Sequence, residues 1–153
     1  MNSTLRTLGL VSVLVALVAG PARAQGYGPG RGSGGWGPGS AYSRLYDAAR
    51  LDTLNGSVVA VRRVTPLHGM HQGVELLVAT GSDTVAVHLG PDWYLDHQDV
   101  TLAAKDRVQV IGSAATIEGR AVILAAEVTR GADRLRLRDV KTGVPAWSAC
   151  CRW

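Results

Sequence analysis

The sequence contains two cysteines, and they are neighbours, Cys150 and Cys151, at its C-terminal end. A bond between adjacent cysteines closes a strained ring and ties no distant segments together, so no disulfide framework organises this chain. The pair is expected to sit in a tail, 150–153, as free thiols or as an intermolecular disulfide, with redox or metal chemistry as the sharper alternative. There is no G-x-S-x-G, no H-E-x-x-H, no phosphate loop and no C-x-x-C. Each absence removes one hydrolase, metalloenzyme, nucleotide-binding or redox reading, and together they favour a protein that is not an enzyme and needs no cofactor. A G-x-G-x-x-G does occur at Gly30, Gly32 and Gly35, but no strand precedes it, so it carries no dinucleotide reading. Charge of one sign is also scarce. The formal net charge of +4 includes Arg6 and Arg23, near the N-terminus. What is left, about +2, lacks the basic patch that phosphate-backbone binding needs, and nucleic acid is an unexpected partner.

No second apolar run of membrane length follows the first. That first run, Thr7–Gly20, is preceded by Arg6 and followed by Ala22-Arg23-Ala24. Its length as a helix, about 20 Å at ~1.5 Å per residue, falls short of a ~30 Å bilayer core. A positive start, a short apolar stretch and a small-x-small site are the parts of a secretory signal peptide, so residues 1–24 are expected to be removed after Ala24. The product is expected in the periplasm or outside the cell, with no stable membrane anchor after cleavage. Roughly 130 residues would remain, one small domain.

Residues 25–40 are Gly-rich, GYGPGRGSGGWGPGS, and are expected to form a flexible linker in which Trp36 is either solvated or a contact to a partner. The domain is expected over 41–149. Tyr42–Leu51 predicts a short helix capped by Ser43. Thr53–Val64 predicts a long first strand, with Gly56 as the place where a bulge would let it bend. Val74–Thr80 and Val85–Leu89 follow around a tight turn at Gly81-Ser82-Asp83. Pro91–Gln98 predicts a short helix. Arg107–Gly112, Ala121–Thr129 and Arg134–Arg138 predict three more strands. Three strands, a short helix and two further strands is the order of an OB barrel, so the expected fold is all-β, a five-stranded OB-type barrel with a short helix between strands three and four. A small open sandwich is the competing architecture.

One stretch concentrates aromatic and imidazole groups. Val85–Leu89 alternates, then Gly90-Pro91 breaks the strand beside His88, Trp93 and Tyr94. Val87–Tyr94, VHLGPDWY, resembles small exported bacterial OB-fold proteins of the BOF-like kind, most closely a group with a V-H-L-G-P-x-W-Y stretch. Tyr46-Asp47, the run Val108–Ser113, Leu135–Asp139 and Gly143-x-Pro145-x-Trp147 match it as well. The resemblance covers about Tyr42–Trp147 and implies export and a barrel, without implying an activity.

His88 stands opposite the inward valines and is expected to point out of the barrel or under the following turn. With Trp93 and Tyr94 it could form a platform for a planar or sugar-like ligand, or the two rings could cover the barrel end while His88 fixes the turn. His68, Met70 and His71 share a loop and offer two imidazoles and a thioether, a donor set suited to copper, with His97 as a distant candidate; exposed loop residues explain them equally. Arg134, Arg136 and Arg138 alternate with leucines and are expected to line one face, either as an anion-binding row or as a solvated face beside Asp133 and Asp139. Asp92, Asp96 and Asp99 could act as paired acids or form the polar face of the helix. The function these features predict is a non-enzymatic binding module. Its ligand would be a small molecule, an envelope glycan or a protein partner. Copper carriage through His68, Met70 and His71, or a structural role in an envelope assembly, are the alternatives.

Overall fold

The structure is a computed structural model that describes residues 33–149. The proposed signal peptide, the first part of the Gly-rich tract, and Cys150 and Cys151 lie outside the described residues. Six strands carry the fold: β1 (Leu51–Val64), β2 (Gly73–Thr80), β3 (Asp83–Pro91), β4 (Arg107–Ile117), β5 (Arg120–Arg130) and β6 (Asp133–Arg136). A single helical turn, α1 (Asp92–Leu95), follows β3. The all-β expectation holds. No helix among the described residues is long and apolar enough to cross a membrane.

The sheet runs β3-β2-β1-β4-β5-β6, and β3 also pairs with β5 in parallel, so the hydrogen bonding returns on itself as a ring. β1 makes this possible. Its first half, Leu51–Ser57, pairs with β4, and its second half, Ser57–Val64, pairs with β2. Gly56 sits where the strand changes partner, and a Cβ there would lie 2.3 Å from the Ala79 carbonyl oxygen. The bulge expected at Gly56 is instead at Val59, the extra residue between the Val58 and Ala60 registers. Gly56 is thus required by the close approach of β2, not by the bend. The β4–β5 turn is built by Glu118 and Gly119, both at positive φ, as a two-residue hairpin of the primed kind demands.

Leu76, Val78, Val87, Val110 and Val128 are fully enclosed and form part of the apolar core. Two expected helices are shorter than their sequence patterns suggest. In place of Tyr42–Leu51 there is one 3-10 turn, Ser43–Leu45. Ser40, not Ser43, caps it, accepting the Ser43 amide on its hydroxyl at 3.1 Å, and the Asp47 carboxylate then turns the chain by accepting the Ala49 amide. α1 is a single turn that closes in tighter main-chain bonds, from the His97 amide to Tyr94 and from the Gln98 amide to Leu95, and two side chains add to them. His97 Nδ1–H donates to Trp93 at 2.7 Å, and the Gln98 amide donates to Tyr94 at 3.2 Å.

The largest departure lies at the ends. Trp36, expected in a solvated linker, is completely buried. Its indole N–H donates to the His71 carbonyl at 2.9 Å, and Gly34 accepts the His71 amide through its own carbonyl. The Gly-rich composition here serves contact. A Cβ at Gly34 or Gly35 would collide with His71 or Met70.

Candidate functional site

β2 and β3 pair so that Glu75 stands directly across from His88. Both side chains point away from Leu76 and Val87, as the alternation requires. The sequence placed His88 on an outward face, and that parity is right, but the face is not open. The segment carrying Trp36 and Tyr42 and the C-terminal turn carrying Trp147 cover it, leaving His88 only 4% exposed and Glu75 not at all. His88 thus points out of the barrel, one of its two expected placements, and is nevertheless buried there.

The groups around it form one continuous polar chain. Arg62 and Arg120 each donate to Glu75, at 2.6 and 2.8 Å, from half-exposed positions on β1 and β5. His88 Nε2 lies 3.2 Å from Glu75 Oε2, the oxygen that Arg120 also contacts, and His88 Nδ1 lies 3.2 Å from the Tyr42 hydroxyl. One arrangement satisfies all three groups. The neutral imidazole donates Nε2–H to Glu75 and accepts the Tyr42 O–H on Nδ1. Burial acts on Glu75 to raise its pKa, but the hydrogen bonds from Arg62 and Arg120 outweigh it and hold the carboxyl below its usual 4.5. Burial dominates at His88 and lowers it below 6.5 against the pull of Glu75. Burial likewise pushes the Tyr42 phenol well above 10. At neutral pH the set is an anion held by two cations, a neutral imidazole and a neutral phenol. Each of these groups is already hydrogen-bonded within the set. The space beside Glu75 and His88, closed by Pro66, Glu118 and Arg120, has a volume of only about 100 Å³.

Trp93 and Tyr94 do not complete a platform with His88. They lie half-buried on α1, packed on the core, and Tyr94 meets Trp147 at 5.6 Å between ring centroids. The ring stacked on His88 is Tyr42, at 6.1 Å and 16° between planes. The arginine row also breaks. Arg134 and Arg136 are exposed and share Glu127, at 3.3 and 3.9 Å. Arg138 is buried, with its guanidinium 5.0 Å from the Trp147 ring, 5.4 Å from Tyr46 and 5.8 Å from Tyr42. The reason is a local bulge: the amides of Leu137 and Arg138 both donate to the Ala126 carbonyl, which shifts the alternation by one residue and turns Arg138 inward.

In the loop for which copper is one alternative, two of the three candidate side chains also have packing contacts. Met70 and His71 pack on Gly35 and Gly34. Among the described residues, no three His, Cys, Asp or Glu side chains gather to hold a metal ion. Asp92 and Asp96 act together, but as the grip on Arg63, with contacts of 2.9 Å from each.

Sequence reasoning missed Glu75, Tyr42, Arg120 and Trp147. Glu75 carried a readable signal: it is a single carboxylate inside the apolar run Val74–Val78, and a charge buried in such a strand needs a partner. The signal in Trp36 was a tryptophan beside two glycines, a residue pair that lets a backbone lie close to a large ring.

A groove of about the same size as one along Asn55–Ser57 and Arg107–Gln109 lies elsewhere. It has a volume of about 520 Å³ and runs between β1, α1 and the segment 98–102, with Val74, Leu89 and Leu135 at its base. A helix of a single turn leaves this side of the ring uncovered.

No curated protein matches the chain. The model of the MamS/MamX magnetosome protein family matches residues 50–135. That span holds β1 to β5, most of β6, the Arg62–Glu75–Arg120 cluster, His88 and the groove, while Trp36, Tyr42, Arg138 and Trp147 fall on either side of it. The chain belongs to the MamS/MamX magnetosome protein family.

Proposed function

We propose that this chain is an exported, non-enzymatic binding module built on an OB-type barrel, with a magnetosome-associated role of the kind its family name carries. The ring β1-β2-β3-β5-β4, with β1 shared between both halves, supports the OB-type reading. The mutual saturation of Glu75, His88 and Tyr42 supports a non-catalytic role. The observation that carries the proposal is the groove beside β1. Its ~520 Å³ falls within the range of sites that hold small ligands or partner side chains. Its lining combines apolar Val61, Leu95 and Leu102 with a few polar groups from Arg63, Asp96 and Gln98.

A probe with an apolar body and one charge, 8-anilinonaphthalene-1-sulfonate, tests the seat directly. The wild-type chain should enhance its fluorescence saturably at one site. Leu102→Trp, which fills the groove, should abolish the effect while leaving the circular dichroism and Tm unchanged. Absence of binding by the wild type, or binding indifferent to Leu102→Trp, would overturn the groove as the binding site.

A further inference from the structure

Resting on that reading of the groove, we propose that its occupant is an extended polypeptide segment of a partner protein, which adds as a strand to the free edge of β1. The groove is lined by three consecutive β1 residues, Val61, Arg62 and Arg63. Side chains at consecutive strand positions point to opposite faces, so a groove that touches all three runs along the strand's edge. That edge is open. From Ala60 to Val64, β1 pairs with β2 on one side, and among the described residues no strand pairs on the other.

The backbone groups that face the groove can be assigned. Val58 turns both of its own away from β2, donating to the Asp106 carbonyl and accepting from the Lys105 amide. The extra residue at Val59 then shifts the phase, so Ala60 and Arg62 face β2 while Val61 and Arg63 face out. The far wall is short of main-chain partners: among the described residues, Asp99–Leu102 makes no backbone–backbone hydrogen bond, and the Thr101 carbonyl accepts instead from the Arg130 guanidinium. An extended chain supplies what the β1 edge lacks, alternating N–H and C=O groups, and its alternate side chains would reach the apolar base formed by Val74, Leu89 and Leu135.

The charge of the segment follows from Arg62. Arg62 and Arg120 share a single buried carboxylate, Glu75, leaving one positive charge uncompensated, and Arg62 is half exposed. An acidic side chain opposite Arg62 complements it. Val61, 42% exposed, would be covered. The partner is therefore an extended segment that alternates apolar and acidic residues.

The test uses a blocked heptapeptide alternating valine and glutamate, titrated into the isotopically labelled chain. The Val61 and Arg63 amides should shift and exchange at least tenfold more slowly when the peptide is bound. An analogue N-methylated at alternate amides should not bind, and a lysine-for-glutamate analogue should bind at least tenfold more weakly. Protection at β6 instead of β1, or equal binding of the N-methylated peptide, would overturn the proposal. So would concentration-dependent dimerisation that Val61→Pro removes, because a second copy would then hold the edge. If the naphthalene probe binds and the peptide does not, strand addition fails and the groove stands; if neither binds, both fail.

Discussion

The Trp147 indole N–H donates to the main-chain carbonyl of Trp36 at 2.8 Å, joining residues 111 positions apart. Trp36 in turn holds the β1–β2 loop through His71 and meets Tyr42 and Trp147 edge-on at 4.7 and 6.2 Å. Trp147→Phe keeps most of the ring but leaves the Trp36 carbonyl buried without its donor, a loss of about 1–3 kcal/mol. Trp147→Ala also opens a cavity and should cost about 3–5 kcal/mol. Urea unfolding of both variants checks this. A Trp147→Phe variant as stable as wild type would show that the bond contributes nothing.

Gly73 and Gly90 lie diagonally across the β2–β3 pairing, and each underlies one tryptophan. A Cβ at Gly73 would sit 2.3 Å from the Trp36 ring, and one at Gly90 would sit 2.6 Å from the Trp147 ring. Gly73 is also confined from the far side, since its Cβ would lie 2.7 Å from the Gly90 carbonyl oxygen. Gly73→Ala should therefore destabilise by about 1–3 kcal/mol through overpacking. Near-ultraviolet circular dichroism should show the loss of a fixed tryptophan environment alongside the drop in Tm.

The strands were legible, because the apolar run Val74–Val78, the alternation in Val85–Leu89 and the turns at Gly81 and Gly119 are local properties of the chain, whereas the β3–β5 pairing that closes the ring is not. His88 shows where that legibility ends. Its parity was readable from Val85 and Val87. Whether its face meets water depended on Trp36 and Trp147, both more than fifty positions away. Arg138 fails for a different reason: one bulged residue inverts every later side chain, and Leu135–Arg138 carries no residue type that marks a bulge. The groove was not readable at all. It lies where β1, α1 and the segment 98–102 meet, and no local pattern encodes the approach of segments so far apart in the chain.

Acid should destabilise the fold in two stages. The folded-state pKa of His88 is depressed, so the unfolded chain takes up a proton there first, and stability falls as pH drops below about 6.5. Glu75 is depressed as well, so its contribution is complete above 4.5 and is lost as pH falls through its lower folded value. Both act in the same direction, so stability should rise monotonically from pH 3 to pH 7. His88→Gln should flatten the upper part of that rise and leave the lower part. Urea midpoints across this range measure it. An unchanged upper slope in His88→Gln would assign the effect to another group.

Arg138 carries a charge that its surroundings serve poorly. Among the described residues, its Nε and Nη1 are buried without partners, as is the Tyr46 hydroxyl, and burial lowers its pKa. Three rings face the guanidinium, and cation–π attraction offers about 0.5–2 kcal/mol in such places. Taking an ion out of water costs several kcal/mol, so an apolar side chain of similar length should do as well or better. Arg138→Met is therefore expected to change stability by less than about 1 kcal/mol or to raise it, whereas Arg138→Ala, which empties the space between Tyr42 and Trp147, should lose about 3 kcal/mol. Guanidinium unfolding separates the cases. A loss in Arg138→Met as large as that in Arg138→Ala would show that the charge, not the packing, holds the aromatic cluster together.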